Sequence, residues 1–120
     1  MGMKNKILEK LNEMPWHECD DSDVMFTEHV IGYNDKFWFI IYKAKYNPNS
    51  NNGKKFPNYI SEPIVIINLP NEKPDFGVTF EKLINLIEFD DNITLLSSTE
   101  YKKTNLNLNK KFKNSKKYRE

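Results

Sequence analysis

The chain has one cysteine, four glycines, two histidines and, among 18 basic residues, a single arginine in 120 positions. Each scarcity removes a class of protein. The lone Cys19 excludes an intramolecular disulfide framework and suits a reducing compartment. Four scattered glycines leave no phosphate-cradling loop of the Walker or dinucleotide-binding type. No apolar run approaches the ~20 residues of a membrane span. The N-terminal "MGMKNKILEK" lacks the unbroken apolar stretch of a secretory signal. It also has Lys6 where a myristoylation signal needs Ser or Thr. A cytoplasmic protein with no membrane partner is the expectation.

Metal and catalytic chemistry find little to work with. In "HECDDSD", residues 17 to 23, His17 and Cys19 are the only nitrogen or sulfur donors, too few for a tetrahedral zinc site. Met25 and Phe26 stand where a calcium loop needs other residues. A nucleophilic Cys19 would have to use His17 or His29 as base, and the neighbouring carboxylates disfavour a thiolate there. No two carboxylates are placed by their spacing on facing walls of a cleft. The expectation is a non-enzymatic protein with no catalytic residues, no metal and no cofactor.

What the chain does have is enough apolar surface for one core, at 38% hydrophobic and 13% aromatic residues. A chain of this length buries roughly 60–70% of its unfolded surface. Its 17 Lys and 16 Asn, with abundant Ile, suit an A/T-rich genome such as a low-GC bacterium, its phage or a plasmid. The formal charge of +1 conceals a segregation. From residue 102 onward, seven Lys and Arg119 against Glu120 give +7, whereas residues 1 to 101 sum to −6. Such asymmetry marks a charged tail or an interaction surface.

Periodicity organises the rest. Met3, Ile7, Leu8, Leu11 and Met14 predict a helix over 3 to 14, stopped by Pro15. "HECDDSD" reads as a loop. Val24 to Gly32 alternates only partially and is expected to form a hairpin with Phe37 to Tyr46 through an Asn34-Asp35 turn. Residues 47 to 58 read as a long loop, 59 to 69 as a strand with Pro63 near its start, and 79 to 89 as a helix capped by Thr79. "ITLLSS" reads as a short strand. In "TNLNLNKKFK", Leu106, Leu108 and Phe112 alternate with polar residues, so 104 to 113 reads as a basic edge strand, with a detached arm or a helix as the alternatives. Trp16 is expected to staple the first helix to the sheet, and Trp38 to lie in the core. The fold class is α+β: a single domain over 1 to 113, with a mainly antiparallel sheet of four to five strands and two helices on one face. Residues 114 to 120 are expected to fray.

Two functional expectations follow from charge and aromatics. The first is a protein-binding inhibitor, of the immunity-protein or phage-inhibitor kind, turning an acidic surface toward a basic protein such as a toxin or nuclease. Its contacts would be Glu18, Asp20, Asp21 and Asp23 with Tyr46, Phe56 and Tyr59. The alternative is a small nucleic-acid-binding protein acting through Lys110, Lys111, Lys113, Lys116, Lys117 and Arg119. The near-absence of arginine weighs against the alternative, because bidentate contacts need a guanidinium.

Overall fold

The structure is a computed structural model that describes residues 2–18, 23–68, 78–88, 90 and 92–104. The elements, in chain order, are α1 (Met3–Asn12), β1 (Trp16–Glu18), β2 (Val24–Thr27), β3 (Val30–Tyr33), β4 (Trp38–Tyr42), β5 (Ala44–Tyr46), α2 (Asn51–Lys55), β6 (Ile64–Asn68), α3 (Phe80–Ile87), β7 (Thr94–Ser97) and α4 (Ser98–Lys102). Every strand pairing is antiparallel. The architecture is α+β, but the strands form two sheets, ordered β1-β2-β5 and β6-β4-β3-β7, rather than one of four to five. Among the described residues, four helices stand where two were expected.

The division into two sheets has a local cause in the long hairpin. Val30 faces Ile41 in the four-stranded sheet, whereas Phe26 faces Ala44 in the three-stranded one. Between these pairs the first strand advances by one residue more than its partner. That is the arithmetic of a β-bulge, which bends the hairpin and increases its twist. Glu28 and His29 occupy the extra length. The junction is closed by Thr27, 3% exposed, whose N–H donates to the Lys43 carbonyl at 2.9 Å and whose hydroxyl accepts from the Lys43 N–H at 2.9 Å. Both expected long strands, 24 to 32 and 37 to 46, are therefore broken at one level, and each half joins a different sheet.

The core lies on one face of the four-stranded sheet. Cross-strand neighbours Phe39 and Ile67, and Ile41 and Val65, are all at most 2% exposed, as is Val30. Met3, Ile7 and Leu11 of α1 and Leu83 and Ile87 of α3 join them in one cluster. Burying each of these larger side chains contributes about 1.5–3 kcal/mol. Trp38 and Ile40 fall on the opposite strand face and are only half-buried, so Trp38 is not the core residue its surroundings suggested. The hairpin turn is organised by Asn34. Its Oδ1 accepts from the Lys36 and Phe37 N–H groups at 2.8 and 2.9 Å, and its Nδ2 donates to Asp90 at 2.9 Å.

Local chemistry explains the other departures. Trp16 to Glu18 form β1 against β2 instead of a staple and a loop, and Lys45 sits 4.5 Å from the Trp16 ring centroid. The 47 to 58 loop contains α2, begun by Ser50, whose hydroxyl accepts from Gly53 N–H at 2.9 Å. β6 begins only at Ile64, after Pro63, leaving Ile60 a single bridge to Lys45. Ser97 ends β7 and starts α4 through a capping box with Glu100, a pairing that satisfies two otherwise orphaned N–H groups. The expected edge strand over 104 to 113 and the frayed 114 to 120 lie outside the described residues, Thr104 excepted.

Gly32 sits between Phe39 and Leu95 on the core face, and a Cβ there would overlap the Phe39 ring. Because Phe39 is fully buried, the ring has nowhere to go. Gly32→Ala is expected to cost about 1–3 kcal/mol of stability by overpacking. Leu86→Ala, at a side chain 62% exposed, should stay within about 0.5 kcal/mol of wild type. Urea unfolding followed by circular dichroism checks both.

Candidate functional site

The far end of the three-stranded sheet gathers residues from three separate stretches of chain. Val24 pairs with Tyr46, and the Asn47 N–H donates to the Asp23 carbonyl at 2.6 Å. The chain then turns at Asn47 to Ser50: the Asn47 side chain accepts from Asn49 N–H at 3.1 Å, and its carbonyl accepts from the Ser50 hydroxyl at 2.7 Å. This turn aims α2 back over the sheet end. Gly53 packs against the Asn47 carbonyl so closely that a Cβ would not fit. Helix α2 thus returns Phe56 and Tyr59 to Tyr46, with ring centroids 6.0 and 5.5 Å apart.

These rings are only partly sheltered. Phe56, Tyr59 and Ile60 are 48%, 52% and 51% exposed, three of the four large apolar side chains left so open among the described residues. Aromatic side chains in such clusters anchor protein interfaces because they offer a large contact area at a low cost in rotamer entropy. Glu18, at the end of β1, and Asp23, just before β2, are exposed at the same end of the sheet. The charge there is mixed. Lys55 lies 5.8 Å from the Phe56 ring centroid, and Lys54 is exposed beside it. The structure therefore brings together Tyr46, Phe56 and Tyr59 and sets Glu18 and Asp23 at the same sheet end. Asp20 and Asp21 lie outside the described residues, as do Lys110, Lys111, Lys113, Lys116, Lys117 and Arg119.

A second feature was not legible in the sequence. The bulge turns Glu28 and His29 into an open cleft of ≈ 400 Å³, whose walls also include His17 of β1, Phe26 of β2, and Ser98, Thr99 and Lys102 of α4. Both imidazoles of the chain meet there. Glu28 accepts from the Thr99 N–H at 3.1 Å, and its other oxygen lies 3.8 Å from His17 Nε2. The Thr99 N–H, helped by the Thr99 and Ser97 side chains and by the His17 charge, holds the Glu28 carboxyl below its ordinary range. The His29 ring lies 4.8 Å from the Tyr42 ring, and the loss of water on that side lowers its pKa, with Glu28 opposing.

Among the described residues, no group of three His, Cys, Asp or Glu side chains is close enough to hold a metal ion. No helix among them is long and apolar enough to cross a membrane. Cys19 lies outside the described residues. Comparison with protein-family models, curated proteins and solved structures finds no match to this chain. The functional reading therefore rests on geometry.

Helix α4, one wall of the cleft, is fixed to α1 by Lys10 Nζ donating to Glu100 Oε1 at 2.6 Å. With the Ser97 N–H, this holds the Glu100 pKa down to about 2 from 4.5. A depressed carboxylate stabilises fully above its unfolded pKa and loses that contribution as pH falls through its folded one. The pair is half-exposed on the acid side, so the effect is modest. Wild type should exceed Glu100→Gln in urea midpoint above pH 4.5, and the gap should shrink toward pH 2. A constant gap across that window would show that the pair contributes nothing through its charge.

Proposed function

We propose that this chain is a non-enzymatic protein-binding module that inhibits its partner by stoichiometric contact, in the manner of an immunity protein or a phage-encoded inhibitor. The observation that carries this reading is the convergence of Tyr46, Phe56 and Tyr59 into one surface cluster with its outer rings half-exposed. Water-exposed aromatics held in place by α2 are already ordered, so a partner covering them loses little further conformational freedom. Glu18 and Asp23 lie at the same sheet end as the cluster, on a body that carries −6 over residues 1 to 101. That distribution speeds encounter with a cationic protein and fixes its orientation. Lys54 and Lys55, exposed beside Phe56, suit a partner whose basic face has an acidic edge.

The test is affinity capture from a lysate of the encoding organism, with wild type and the Phe56→Ala/Tyr59→Ala pair side by side. Both side chains are exposed, so the variant should keep its fold by circular dichroism. Wild type is expected to retain a basic protein in equimolar amount. The double variant should bind it at least about tenfold more weakly, the size of an interface anchor. Recovery of nucleic acid without protein, or equal capture by both forms, would overturn the proposal.

A further inference from the structure

We infer that the cleft at the bulge binds a small phosphate monoester, its phosphate held by His17, His29 and Lys102 and its organic part lying against Phe26. The first support is the set of uncommitted donors. Among the described residues, the His29 ring nitrogens and the Lys102 ammonium have no hydrogen-bond or ion-pair partner within the protein. The second is the state of the one acid. Glu28 is 12% exposed at its side chain, and its oxygens are occupied by the Thr99 N–H and by His17 at 3.8 Å. Its charge is thus met by donors from within the protein, while the His29 and Lys102 side chains are exposed to solvent. Charge-assisted hydrogen bonds to a phosphate are the strong use of such groups.

The third support is size. A volume of ≈ 400 Å³ lies in the range of small-molecule sites and exceeds what inorganic phosphate alone would fill. Phe26, in edge contact with Tyr42 at 5.6 Å, supplies an apolar wall for the remainder of the ligand. The negative charge elsewhere on the body acts weakly here, since exposed charges are screened beyond about 8–10 Å at physiological salt. The site lies at the bulge, near the junction of the two sheets, while the aromatic cluster lies at the far end of the three-stranded one. The two can therefore be occupied independently.

The groups around His29 are the Tyr42 ring of β4 and Glu28 beside it, with His17 of β1 and Lys102 of α4 lining the same cleft. Desolvation leaves the empty-state imidazole less basic than usual, and a bound phosphate dianion reverses that. Binding should therefore draw a proton onto His29, and affinity should fall as pH rises.

A chain with two histidines gives two imidazole Cε1–H signals in a proton–carbon correlation spectrum, and these are the readout. Adenosine monophosphate at pH ~6.5 is expected to shift both signals saturably and to raise the His29 titration midpoint. Loss of charge-assisted contacts should weaken binding about tenfold at pH ~8.5, and about tenfold in Lys102→Ala, an exposed change on α4. Adenosine should leave both signals in place, and inorganic phosphate should bind more weakly than the monophosphate. Shifts confined to His17, shifts matched by chloride, phosphate binding without monophosphate binding, or an unaltered Lys102→Ala affinity would each overturn the assignment.

Discussion

A single extra residue in one strand of the long hairpin governs most of what is distinctive in this protein. With Val30 opposite Ile41 and Phe26 opposite Ala44, the two strands cannot continue as one flat ladder. The bulged strand bends, and the ladder resumes with its faces exchanged. Thr27 is consequently buried at an odd position although Val30 is buried at an even one. The hairpin becomes the spine of two sheets. Its inner half carries α1, α3, α4 and the core, and its outer half projects as a three-stranded extension.

That extension is where most of the exposed large apolar side chains among the described residues lie. The inner half is fully engaged: Phe39, Ile41, Val65 and Ile67 are buried beneath residues of α1 and α3, and Gly32 is kept bare so that Phe39 can lie over it. The outer half has only short strands and the five-residue α2, which leaves Tyr46, Phe56 and Tyr59 as a cluster open to solvent. A well-packed base thus supports a less covered tip. The bulge itself, as bulges do near functional sites, re-aims two polar side chains, here Glu28 and His29, away from the ladder. The link from backbone register to surface chemistry is direct.

The two surface features differ in physical character. The tip offers exposed apolar area with charge around it. The cleft offers the exposed His29 and Lys102 beside a carboxylate whose charge is met by donors within the protein. Helix α4 is tied to both ends of the molecule's logic: Glu100 anchors it to α1, and the Thr99 N–H fixes Glu28. A single five-residue helix therefore sets the electrostatics of the cleft through two short contacts.

Much of the frame was legible in residues alone. The spacing of Met3, Ile7 and Leu11, and of Leu83 and Ile87, dictates two amphipathic helices, because only a 3.6-residue period puts those side chains on one face. Thr79 as a cap, the Asn34 turn and the α+β class follow from equally local chemistry. The Ser97 and Glu100 spacing was also a readable signal for α4, one that the strand-like run before it obscured. The partial alternation of Val24 to Gly32 was the one visible trace of the bulge. Helix α2 had none, since Asn, Gly and Lys in that order favour a turn, and the helix exists because Ser50 and Asn47 cap and dock it. Tertiary structure alone decided that Tyr46 would meet Phe56 and Tyr59, and that His17 would share a cleft with His29. Contacts between residues distant along the chain depend on register and bend, and a one-residue offset that changes both leaves the composition and the short-range pattern almost untouched.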